Sequence, residues 1–144
     1  MSDVTEEAIC ELRIPAFANR MSLVRVTLRG AAHHCGFDTS TTKDLVLAVC
    51  EACQNVVQHG YAGQDPGDII LSIARSEDGV IIRVRDFAAP VDPAKIKPRD
   101  LNEVRPGGLG IHFIENLMDS AVFLPGADGI GNVLQMTKRI NGVS

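Results

Sequence analysis

The sequence contains no tryptophan and one tyrosine among its 144 residues. Its core must therefore rest on aliphatic side chains rather than large rings. No apolar run approaches the roughly 18 residues that a membrane span needs, so no membrane partner is expected. Positive charge is not in excess: 14 Lys and Arg stand against 18 Asp and Glu, a net charge of −4 with His neutral. Nucleic-acid binding needs a basic face, so direct nucleic-acid binding is not expected either. The opening residues, MSDVTEEAICEL, are acidic and lack the basic and apolar regions of a secretory signal. A cytoplasmic location follows as an expectation. The four cysteines, Cys10, Cys35, Cys50 and Cys53, are then expected as reduced thiols.

What is present suits one globular domain over residues 1–144, with 45% hydrophobic and 22% charged residues. Residues 9–15 alternate apolar and polar and predict a first strand ended by Pro15. Phe17, Met21, Val24, Leu28, Ala31 and Ala32 fall at helical spacing, and Gly36 is placed to stop that helix. Asp38 to Thr42 supply N-caps for a second helix over about 42–59. Residues 69–75 and 80–86 read as strands joined by a hairpin turn at Ser76 to Gly79. Residues 87–107 read as a long loop. A third helix opens at Gly107 to Gly110 and runs to about Met118, and closing strands fit 121–124 and 132–139. This order predicts an α+β two-layer sandwich, its sheet mixed but mostly antiparallel, with helices on one face.

On a helical wheel, Leu45, Val46, Val49, Cys50, Ala52, Cys53, Val56 and Val57 share one arc. Glu51, Gln54, Asn55 and Gln58 lie opposite. Glu51 and Asn55, at i and i+4, point the same way. The bland reading is a solvated face. Two features argue for more: no Lys or Arg occurs from 44 to 74, and the arc is filled by amides and one carboxylate. An Asn carbonyl is a hard oxygen suited to Mg²⁺ beside phosphate, and a Glu one turn away suits proton acceptance from a hydroxyl. Arg105-Pro106-Gly107-Gly108-Leu109-Gly110 precedes a helix, where glycines admit a ligand and the first N–H groups attract anions. The Walker pattern GxxxxGK[ST] is absent. Cys50 and Cys53 lie in the apolar arc and read as core. His33 and His34 read as surface residues.

Glu51-Ala52-Cys53-Gln54-Asn55-Val56-Val57-Gln58-His59-Gly60-Tyr61 resembles the N-box, E-x-x-x-N-x-x-x-H-[AG]-Y, of anti-sigma-factor serine kinases, members of the GHKL ATPase superfamily. Ile82 to Asp86 is similar to the strand that leads into that family's adenine-reading Asp. Pro106 to Ile111 with Leu117-Met118-Asp119 is similar to its second glycine box and the helix after it. Gly131-Asn132 through Arg139 resembles its closing strand, and Ser22 to Val26 a first-helix segment. The resemblance covers nearly the whole chain in order. It implies Mg·ATP binding and γ-phosphoryl transfer to a Ser or Thr of an anti-sigma-factor antagonist (a STAS-type protein). It also implies sequestration of a sigma factor and a homodimer. By motif position Glu51 is the general base and Asn55 the Mg²⁺ ligand. Asp86 accepts the adenine amine, and Arg105 reaches the γ-phosphate. Gly108, Leu109 and Gly110 belong to the phosphate loop, and Arg25 to the partner-docking surface. One departure stands out: the family's D-x-G is Asp86-Phe87-Ala88 here, and a Cβ at positive φ costs on the order of 1 kcal/mol. Asn132 stands where Thr is frequent. The alternative function is an ATP-binding or nucleotide-free partner-sequestering regulator without kinase activity.

Overall fold

A computed structural model describes residues 5–61, 65–88 and 110–140. Strands β1 (Glu7–Pro15), β2 (Asp68–Arg75), β3 (Gly79–Asp86), β4 (Ser120–Pro125) and β5 (Asn132–Arg139) form one sheet in the order β1-β2-β3-β5-β4. Every neighbouring pair is antiparallel. Helices α1 (Met21–Cys35), α2 (Thr39–Asn55) and α3 (Gly110–Leu117) complete the α+β layers.

Strand alternation decides which side chains meet the helices. Ile69, Leu71 and Ile73 of β2, Val80, Ile82 and Val84 of β3, and Leu134 and Met136 of β5 are all buried. They form aligned rows, because Ile73 pairs Ile82, which pairs Met136, and Val84 pairs Leu134. Against them α1 turns Val24, Leu28 and Ala31, and α2 turns Leu45, Val49 and Cys53. Complete burial of a Leu such as Leu28 contributes about 1.5–3 kcal/mol. The same alternation carries Asp86, at the end of β3, and Asn132, at the start of β5, to the core face.

Helix limits differ from the spacing-based expectation for local reasons. α1 begins at Met21 rather than near Phe17, because the chain leaves β1 through Ala16, whose N–H bonds the Gly67 carbonyl, and then makes a 3-10 turn over Ala18–Arg20. Gly36 ends α1 in the left-handed conformation, φ 87°. α2 begins at Thr39, earlier than position 42, because the Asp38 carboxylate accepts from the Thr41 N–H at 2.7 Å. Its α-helical ladder stops at Asn55 and widens into a π-turn over Val56–Gly60. The expected loop 87–107 lies outside the described residues beyond Ala88.

Candidate functional site

The apolar arc of α2 is fixed by the core, and this sets where its polar arc points. Ala52 and Cys53 are buried, while Glu51 and Asn55 are half-buried. Glu51 and Asn55 do not face open solvent. Both side chains close on Gly110, the first residue of α3. A Cβ built on Gly110 would lie 2.8 Å from Glu51 Oε2 and would collide with Asn55 Nδ2. Only glycine leaves both side chains where they are. The arrangement puts a carboxylate and a carboxamide beside the start of a helix, whose first N–H groups carry partial positive charge. Gln58 of the same arc is exposed.

The π-turn that follows Asn55 delivers Tyr61. Its hydroxyl donates to the Asp68 carbonyl and accepts from the Phe87 N–H, both at 2.8 Å. Burial pushes the phenol above its ordinary range, with a smaller opposing effect from the Phe87 N–H. One side chain thus ties the end of α2 to the start of β2 and the end of β3. Asp86 lies beside this clamp. Its Oδ1 accepts from the Ala88 N–H at 2.9 Å and from Asn132 Nδ2 at 3.0 Å. Gly131 holds φ 74°, and a Cβ there would collide with the Asp86 carbonyl oxygen. Both hydrogen bonds load one carboxylate oxygen, which fixes the carboxylate plane. Ala88 is buried at 4% exposure, so its methyl is accommodated in the fold.

Sequence reasoning brought Glu51, Asn55 and Gly110 to one place, and the coordinates place these three in contact. Arg105, Gly108 and Leu109 lie outside the described residues. Arg25 sits apart from that cluster on α1, near Cys50, the residue before Glu51. Two positions take roles that their local sequence does not announce: Tyr61, which meets the Phe87 N–H, and Asn132, which meets Asp86. Their roles depend on the β3–β5 register and on the π-turn, for which the chain carries no local signal. The buried thiol of Cys53 is pushed far above its ordinary value by desolvation. Burial also raises Cys50, against a weaker opposing pull from Arg25. Both observations agree with a packing role. Among the described residues no group of three or more His, Cys, Asp or Glu is arranged to hold a metal.

Comparison with known proteins sets this geometry in context. Residues 14–138 match the family model described as "Histidine kinase-like ATPase domain". Curated relatives include a protein named "Serine-protein kinase RsbW" from Listeria monocytogenes, 38% identical over 90% of this chain and 86% of its own length. A protein of the same name from Bacillus velezensis is 33% identical over 92% and 86%. Among solved structures, the RsbU and RsbW domains of Rv1364c from Mycobacterium tuberculosis superpose with a TM-score of 0.65 at 26% identity. That match covers 92% of this chain and 33% of the other. The SiaB–SiaC complex from Pseudomonas aeruginosa gives a TM-score of 0.63 at 20% identity, covering 91% of each chain, a likeness of fold.

Proposed function

Because this chain belongs to the histidine kinase-like ATPase family, we propose that it is an ATP-dependent serine-protein kinase and anti-sigma factor that acts by partner switching. Its protein substrate is an anti-sigma-factor antagonist of the STAS type, modified on Ser or Thr. The observation that carries the reading is the convergence of Glu51 and Asn55 on Gly110. The residues fit the nucleotide: a glycine keeps open a space that a Cβ would fill, and a buried carboxylate is held in a fixed plane at the end of β3.

Each side chain has a role its chemistry allows. The Asn55 carbonyl oxygen is a Mg²⁺ ligand. Glu51, one turn away on the same face, accepts the proton of the attacking hydroxyl. Asp86, oriented through Oδ1 by Ala88 and Asn132, accepts the hydrogen bond of an adenine amine through its other oxygen. Tyr61 positions the strand end that carries Asp86. Bound Mg·ATP supplies the electrophilic γ-phosphoryl group. Arg105 is assigned to the γ-phosphate, and Gly108, Leu109 and Gly110 to the phosphate loop, by their place in the motif. Arg25 is assigned to the partner-docking surface. A sigma factor as the sequestered target, a homodimer and a cytoplasmic location complete the proposal. Among the described residues no helix is long and apolar enough to cross a membrane.

Calorimetric titration with ATP, with and without Mg²⁺, tests the site. Wild type binds in a Mg²⁺-dependent manner, Asn55→Ala loses that dependence, and Glu51→Ala retains binding but no longer phosphorylates the antagonist. A folded wild type that binds no ATP would leave a partner-sequestering module, with the buried Ala88 as the first position to revert to glycine.

A further inference from the structure

The groove between α1 and α2 takes no part in the chemistry above. It encloses about 520 Å³. Arg25, Arg29 and His33 line it from α1, and Lys43, Val46 and Leu47 from α2. The three α1 residues stand at i, i+4 and i+8, so they form one row along one edge. Like charges one turn apart oppose helix formation, so this row does not serve the stability of α1. Among the described residues no aspartate or glutamate lines the groove, although the chain as a whole carries −4. Among the described residues Arg25, Arg29 and Lys43 form no ion pair. Phe37 and Val46, both buried, and Leu47, 42% accessible, supply its apolar lining. The groove therefore combines basic and apolar side chains.

Its direction matters as much as its charge. Thr39, Lys43, Val46 and Cys50 follow one another along a single face of α2. Arg25, at one end of the α1 row, lies near Cys50, which directly precedes Glu51. From Lys43 to Glu51 is eight residues, about 12 Å along the helix axis at 1.5 Å per residue.

We propose that this groove docks an acidic, amphipathic segment of the protein partner, outside the phosphoryl-transfer site. Carboxylates of that segment meet Arg29, His33 and Lys43, and an apolar side chain covers Val46 and Leu47. Charge complementarity selects this occupant, since basic side chains that form no ion pair among the described residues, on an acidic protein, attract a segment of opposite sign. The identification of the segment with the kinase substrate rests on the kinase reading above; the groove's preference for acidic chains does not.

The test uses two labelled peptides on the full chain without nucleotide. One carries glutamates and leucines at helical spacing, and the other replaces each glutamate by lysine. The glutamate peptide binds wild type and perturbs the amides of Arg29, Lys43 and Leu47 in a heteronuclear NMR titration. The double variant Arg29→Glu, Lys43→Glu loses at least tenfold in affinity, while its melting temperature and its Mg·ATP titration stay as in wild type. With an antagonist that wild type phosphorylates, the variant raises KM and leaves kcat unchanged. Affinity within twofold between wild type and variant, or equal binding of the lysine peptide, would overturn the proposal. So would a change of oligomeric state in the variant by sedimentation, which would assign the groove to a second copy of the chain. ATP binding is read separately, so failure of the nucleotide site and failure of the groove give different results.

Discussion

Gly110→Ala separates stability from function, because its two effects have opposite signs. Alanine in place of a glycine whose φ is not positive restricts the unfolded chain and stabilises by about 0.4–1 kcal/mol. Against this gain, the new methyl must displace the carboxamide of Asn55 and the carboxylate of Glu51, whose Oε2 would lie 2.8 Å away. Both atoms are the ends of side chains that are only half-buried, so they yield by rotation rather than by moving backbone. Each off-rotamer side chain costs about 0.5–1.5 kcal/mol, about 1–3 kcal/mol for the two. The gain offsets part of this, and the net loss of unfolding free energy is no more than about 2.5 kcal/mol. For a domain of this size that is at most roughly 10 °C in melting temperature. Nucleotide binding does not share this offset, because the displaced groups are the proposed Mg²⁺ ligand and base. The expected result is a melting temperature within roughly 10 °C of wild type with Mg·ATP affinity reduced at least tenfold, a loss of about 1.4 kcal/mol. Thermal unfolding without nucleotide and calorimetric titration supply the two readings. Wild-type affinity in a folded Gly110→Ala protein would refute the assignment of Asn55 to the nucleotide. A loss of several kcal/mol of stability would refute the view that the side chains yield.

Three further outcomes follow from other contacts. Tyr61→Phe leaves the Phe87 N–H without its acceptor, costs about 1–3 kcal/mol in denaturant unfolding, and weakens ATP binding by loosening the end of β3. Asn132→Ala removes a buried donor from Asp86 and destabilises by a similar amount, about 1–3 kcal/mol, in the same assay. Glu6, paired with Arg83, has its pKa held below the ordinary 4.5 chiefly by that hydrogen bond. Its stabilising contribution is therefore present above pH 4.5 and is lost as pH falls through the lowered value. Wild type and Glu6→Gln should differ in melting temperature at pH 7 and converge on acidification, and a gap that persists at low pH would contradict the assignment.

Much of the architecture was legible because it rests on local periodicity. The alternation in β2 and β3, the apolar arc of α2 and the Gly36 stop each act within a few residues, and the strands came within two residues of their observed limits. Errors arose where a distant contact sets a boundary. Ala16 is held by Gly67 across the sheet, which delays α1, and neither residue announces this partner.

The sequence by itself determined the pairing of Glu51 with Asn55, since 3.6 residues per turn puts i and i+4 on one face in any fold. It also determined that Asp86 ends a strand. The tertiary structure decided what those residues face. The α2–α3 approach turns the arc of Glu51 and Asn55 from a solvated surface into one wall of a site closed by Gly110. The β3–β5 register sets Asn132 opposite Asp86, and the π-turn after Asn55 brings Tyr61 to the Phe87 N–H. Spacing along a chain fixes which side chains travel together, and only long-range pairing of elements fixes what they meet.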